Sequence, residues 1–178
     1  MSQLPPPLYQ TERLTLRHVV AADAAFICEL MNEPDYLRNI GDRGVRTPDD
    51  ARRYIADKFT ASYHNNGFGL YCIERQADGV PVGICGLVKR PSLADIDLGY
   101  ALLQRHWGQG YAREAAHATL HYARQQLGLQ RLVAITDPAN QPSIRLLEAL
   151  GMRFIEQIVD PVDGEVSKFF SLELSPAH

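Results

Sequence analysis

Apolar positions recur along this chain with two periods, and the switches between them outline its elements. Residues 12–17, Glu-Arg-Leu-Thr-Leu-Arg, alternate polar and apolar side chains, the mark of a half-buried strand. Over 21–31, Ala25, Phe26, Ile27 and Leu30 fall on a helical stripe, with Asp23 near the positive end. Glu33-Pro34 predicts the end of that helix, because proline lacks an N–H and restricts the residue before it. Residues 35–48, which include Gly41 and Gly44, read as irregular. Thr47-Pro48 predicts a new start, with Thr47 as N-cap and Pro48 in the first turn. That helix runs over 51–63 to a turn at Asn65-Asn66-Gly67. Strand-like runs at 68–74 and 80–89 flank Asp78-Gly79, a strong hairpin signal, and 95–102 adds a third strand to the meander.

Past the midpoint the pattern changes. A glycine-bearing turn leads into an alanine-rich helix over 112–127, where Ala112, Ala116, Leu120, Ala123 and Leu127 make one apolar face. Gly128 is its expected stop, and the wholly apolar 132–136 is a strand. Strand, helix and strand form a βαβ unit, so this pair should be parallel. A short helix over 143–150, capped at Asn140 or Gln141, ends at Gly151. Runs at 152–159 and 166–174 close the chain as a hairpin. The expected class is α+β (mixed α/β): a sheet of about six to seven strands, antiparallel but for one parallel pair, with about four flanking helices. A flexible proline-rich tail over 1–7 should precede a single domain over 8–178.

Composition narrows the class. With 178 residues and 46% hydrophobic content, the chain can bury one sizeable core. A net charge of −3 argues against bulk nucleic-acid binding and leaves a cationic substrate open. Cys28, Cys72 and Cys85 are scattered among apolar neighbours without a CxxC pair, which suits free thiols in a reducing compartment. There is no charged-then-apolar leader, and no apolar run approaches the ~20 residues of a membrane span. The expectation is a soluble cytoplasmic protein without nucleic-acid or membrane partners.

The chemistry concentrates in the turn between residues 102 and 112. A strand breaking into glycines and then a helix leaves N–H groups unpaired at the helix's positive end. Gly108 and Gly110 lack a Cβ, so an anion can come close, and a phosphate or pyrophosphate is the natural ligand. A dinucleotide fingerprint fails, because Arg113 stands at its third glycine and the motif lies late in the chain. No Gly-Lys-Ser/Thr follows, so a nucleoside-triphosphate loop fails too. A tight turn that binds nothing stays open. His117 and His121 share a helix face but lack a third ligand, so they read as solvated and no metal is expected.

Several motifs in order carry a resemblance: Thr11-Glu-Arg-Leu-Thr-Leu-Arg17, Val82-Gly83, Asp97-Leu-Gly-Tyr100, Trp107-Gly-Gln-Gly-Tyr-Ala-Arg-Glu-Ala115, Asn140-Gln-Pro-Ser143 and Glu148-Ala-Leu-Gly151. From Leu8 to Leu174 the chain resembles the GCN5-related N-acetyltransferase (GNAT) superfamily, in the branch of the ribosomal-protein N-terminal acetyltransferases. The family's Gln/Arg-x-x-Gly-x-Gly/Ala pattern fits Arg105-x-x-Gly108-x-Gly110 literally, and fits Trp107-x-x-Gly110-x-Ala112 at the small positions.

The resemblance implies that acetyl-CoA is the donor and that the parallel strands splay to admit its thioester. It places CoA contacts at Leu102, Leu103, Trp107, Gly108, Gln109, Gly110, Tyr111, Ala112 and Asn140, with Asn140 equally a helix cap. It implies direct attack by an amine in a ternary complex, with an oxyanion donor near the end of the 96–102 strand. Leu147 occupies the place where many members carry a tyrosine acid. The branch's serine matches Ser143, the candidate proton donor, for which an ordinary first-turn hydroxyl is the plain alternative. For the base, Asp97 matches an acidic position of the branch, with Glu74, water or a merely exposed carboxylate as alternatives. His106 and Tyr111 should cover CoA, and 33–67 and 160–165 should shape the acceptor side. The acceptor is a peptide N-terminus or a small amine, and the protein a monomer or homodimer. A catalytically weak acyl-CoA sensor is the alternative function.

Overall fold

The computed structural model describes residues 7–174, so most of the expected proline-rich tail lies outside the described residues. One eight-stranded sheet runs through the molecule in the order β1-β2-β3-β4-β5-β6-β8-β7. Its strands are β1 (Tyr9–Gln10), β2 (Leu14–His18), β3 (Leu70–Arg75), β4 (Pro81–Val88), β5 (Asp97–Leu102), β6 (Arg131–Thr136), β7 (Arg153–Val159) and β8 (Val166–Glu173). Every neighbouring pair is antiparallel except β5 and β6. The sheet is thus a strand or two larger than the periodicity suggests, and β1 is too short to carry an alternation of its own.

Helices cover both faces. The α5 helix (Tyr111–Gln125) turns Ala115, Ala116, Leu120 and Ala123 onto one face, where small side chains let it lie close to the sheet. The α6 helix (Gln141–Ala149) adds Ile144 and Leu147 to the same core. On the other face α1 (Ala24–Met31) and α3 (Pro48–Tyr54) bury Ile27, Leu30 and Ala51 against Cys72 and Ile84. Arg17 is buried on the face of β2 opposite the apolar row of Leu14 and Leu16. Its cost is offset by ion pairs to Asp23 and Glu74, both at 2.9 Å or less.

Three expectations on this face need correction. Pro34 ends α1 but also starts α2 (Pro34–Asn39), since its fixed φ suits the first position of a helix. The irregular stretch therefore begins only at Ile40. From Pro48 the chain is helical to Asn66 through α3, a π-helical turn (Ile55–Thr60) and α4 (Ala61–Asn66). Asn65 and Asn66 belong to α4, which stops where Gly67 takes φ +75°. The two hairpins fall where Asp-Gly predicts them, with Gly79 and Gly164 both at positive φ.

Candidate active site

Backbone pairing along β5 creates the opening at the centre of the sheet. Leu103 N–H donates to Val82 O in the register that pairs Gly83 with Leu102. By strand alternation the odd residues of β5 therefore present their backbone groups to β4, and the even residues present theirs to β6. Ile96 O does accept from Val133 N–H at 3.0 Å, and Asp97 pairs with Val133. No further β5–β6 pairing follows, so the backbone groups of Tyr100 and Leu102 face a gap. This is the splayed parallel pair.

The gap leads to the glycine turn. A single 3₁₀ turn (Gln104–His106) follows β5, then Gly108 and Gly110 adopt φ +76° and +82°. Only glycine takes these angles without strain. The first α5 hydrogen bond is Glu114 N–H to Gly110 O at 3.1 Å. Among the described residues, the amides from Gly108 to Arg113 have no backbone or side-chain acceptor. A run of unpaired N–H groups at a helix N-terminus fits a pyrophosphate. Trp107 stays 46% exposed, its indole N–H donating to Leu102 O at 3.0 Å.

A cleft of about 810 Å³ joins the gap to this turn. Leu102, Trp107, Gly108, Gly110, Tyr111, Ala112, Asn140 and Ser143 all line it, as does His106. Two of the predicted CoA contacts do not. Leu103 is fully buried in the core beside α1, and the Gln109 carbonyl turns outward to Arg13. Asn140 is the N-cap of α6, its side chain accepting from Ser143 N–H at 3.3 Å.

Ser143 is more than a first-turn hydroxyl. Its Oγ lies 2.6 Å from the Tyr100 hydroxyl, which reaches over from β5. Burial pushes the Tyr100 phenol up to about 12, against the lowering pull of Ser143, so it stays protonated as a donor. Sequence reasoning looked for a tyrosine on α6 and found Leu147, which is 1% exposed and part of the core. The missed signal was the parity of Asp97-Leu-Gly-Tyr100. Residues three apart on a strand point to opposite faces, so Tyr100 faces α6 while Asp97 faces α1 and α2.

Asp97 also lines the cleft. It is 1% exposed and accepts from Arg90 Nε. Its Oδ1 makes no hydrogen bond, although the nearby Ile135 amide helps hold the pKa down. Burial outweighs Arg90 and pushes the carboxyl up to about 6. Glu74, the rival base, is tied to Arg17 and stands away from the cleft. The far lip is α2 and its flanking residues, through Glu33, Tyr36 and Ile40. Residues 41–67 and 160–165 do not reach the cleft, so only the first part of the expected acceptor region lines it. Among the described residues, no group of three or more His, Cys, Asp or Glu could hold a metal, and no helix is long and apolar enough to cross a membrane.

Comparison with known proteins bears on this arrangement. The family model for the acetyltransferase (GNAT) domain matches residues 13–153. The uncharacterized N-acetyltransferase p20 of Bacillus licheniformis is 30% identical over 145 residues, 80% of each chain. An acetyltransferase structure from Agrobacterium tumefaciens superposes with a TM-score of 0.78 at 28% identity, covering 97% of both chains. The ribosomal-protein-S5-alanine acetyltransferase from Vibrio fischeri shares the fold at a TM-score of 0.76 and 18% identity, covering 93% of this chain and 96% of its own. The chain belongs to the GNAT acetyltransferases, enzymes that use acetyl-CoA as co-substrate.

Proposed function

We propose that the protein transfers the acetyl group of acetyl-CoA to a primary amine, either a peptide N-terminus or a small molecule. The observation that carries this reading is the run of acceptor-free amides from Gly108 to Arg113 at one end of the β5–β6 gap. The pyrophosphate meets those amides. The pantetheine arm lies along β5, hydrogen-bonding the groups that β6 leaves free.

The amine enters from the α2 side, and its lone pair attacks the thioester carbonyl. Asp97, ionised above pH about 6, takes the amine proton directly or through one water. An even-numbered β5 amide, Tyr100 or Leu102, donates to the oxyanion. As the C–S bond breaks, the Tyr100–Ser143 hydroxyl pair on the opposite face hydrogen-bonds the leaving thiolate and supplies its proton. The products are the acetylated amine and free CoA thiol.

The test is thiol release from acetyl-CoA by purified protein, offered a pool of small amines and peptides with free N-termini. Amine-dependent release is expected. CoA binding without release across a broad pool would overturn turnover and favour a sensor.

A further inference from the structure

Two motifs far apart in sequence meet beside the glycine turn. Arg13, just before β2, donates from Nε to Glu114 Oε1 at 2.8 Å and from Nη1 to the Gln109 carbonyl at 2.9 Å. Its backbone N–H donates to Glu114 Oε2 at 3.0 Å, and the Thr11 hydroxyl donates to the same oxygen. The guanidinium carbon sits 4.6 Å from the centre of the Tyr111 ring. A Cβ on Gly110 would come within 3.3 Å of Arg13 Nη2. One side chain thus touches the turn at 109, 110 and 111 and also the first turn of α5.

Two physical problems of an anion cradle are met by this contact. A turn built on two glycines has much conformational freedom to lose, and ordering it on binding weakens affinity. A carboxylate in the first turn of α5 also competes with a phosphate for the positive end of the helix. Arg13 ties the turn to the edge of the sheet and neutralises Glu114 with a planar fork. The arginine itself does not line the cleft.

We propose that Arg13 and Glu114 are positioning residues that hold the 107–110 turn pre-formed for the pyrophosphate of the acyl donor. The proposal rests on the donor reading given above. Neither residue touches the reacting atoms, so their effect should appear in donor affinity and only for donors that carry the pyrophosphate.

The experiment compares dissociation constants of CoA and of pantetheine, which ends before the phosphates, for wild type, Arg13→Ala, Arg13→Lys and Glu114→Gln. Arg13→Ala should weaken CoA by about tenfold or more, the equivalent of one charge-assisted hydrogen bond, and leave pantetheine unchanged. Arg13→Lys keeps the charge but loses the fork, so it should stay impaired. Glu114→Gln tests the contact from the helix side should the Arg13 variants fail to fold. A preference for CoA that survives intact in the variants overturns the brace alone. Equal weakening of both ligands also overturns it, since that marks a general structural fault. If wild type itself does not favour CoA over pantetheine, the pyrophosphate assignment falls first and takes the brace with it.

Discussion

At the level of single side chains, the alternation of β5 divides the labour. Asp97 and Tyr100 are three residues apart on one strand, so the proposed proton acceptor faces α2 and the proposed proton donor faces α6. The Tyr100 and Ser143 hydroxyls, 2.6 Å apart, should behave as one unit. Tyr100→Phe and Ser143→Ala should each lower kcat by about a hundredfold, the scale of general acid catalysis, with the KM for acetyl-CoA nearly kept. The double variant should cost no more than the worse single one. Fully additive losses would separate the two hydroxyls into independent roles. For Asp97, a carboxyl titrating at about 6 predicts an acid limb in kcat/KM near that pH, which Asp97→Asn should remove. Stability moves the other way. A carboxyl raised above its unfolded value contributes most below the unfolded pKa, and that contribution is lost as pH rises through about 6. Denaturant midpoints should therefore fall more steeply between about pH 4 and 6 in wild type than in Asp97→Asn, and parallel curves would sink the assignment.

At the level of elements, legibility followed the strictness of the local rule. The Asp78-Gly79 and Gly164 turns were readable because a positive φ leaves few residue choices. The same rule picked out Gly108 and Gly110 and hence the turn proposed to bind the pyrophosphate. α2 was hidden because Pro34 both ends one helix and begins the next, and a sequence shows only the first of those effects. The π-helical turn over Ile55–Thr60 carries no residue signature, since it differs from an α-helix only in hydrogen-bond spacing. Leu103 adjoins the glycine turn in sequence, yet its side chain points into the core beside α1. Sequence proximity could not tell these two directions apart. The Arg13–Glu114 contact spans most of the chain, so each motif was visible and their meeting was not. Ser143 was readable as a residue, but its partner Tyr100 needed the position of α6 over β5.

At the level of the whole molecule, the sheet is continuous in order but nearly divided in hydrogen bonding. β1 to β5 form one half and β6, β8 and β7 the other, joined in the ladder only near Asp97 and Val133. An acyl donor that pairs with the free side of β5 would act as a missing strand and tie the donor turn to the sheet. Ligand linkage gives the size of the effect. CoA held at a hundredfold excess over its dissociation constant should add about 2.7 kcal/mol, raising Tm by roughly 5–10 °C for a chain of this length. The location is the sharper test. In hydrogen exchange, the Tyr100 and Leu102 amides should gain protection with CoA, whereas Ala101, already facing β4, should gain little. The Gly110 and Ala112 amides should slow with them if the pyrophosphate occupies that end of the cleft as proposed. Pantetheine should protect only the β5 amides. A thermal shift without odd–even contrast along β5 would mean that CoA binds elsewhere, and the splay would then lose its role as the donor site.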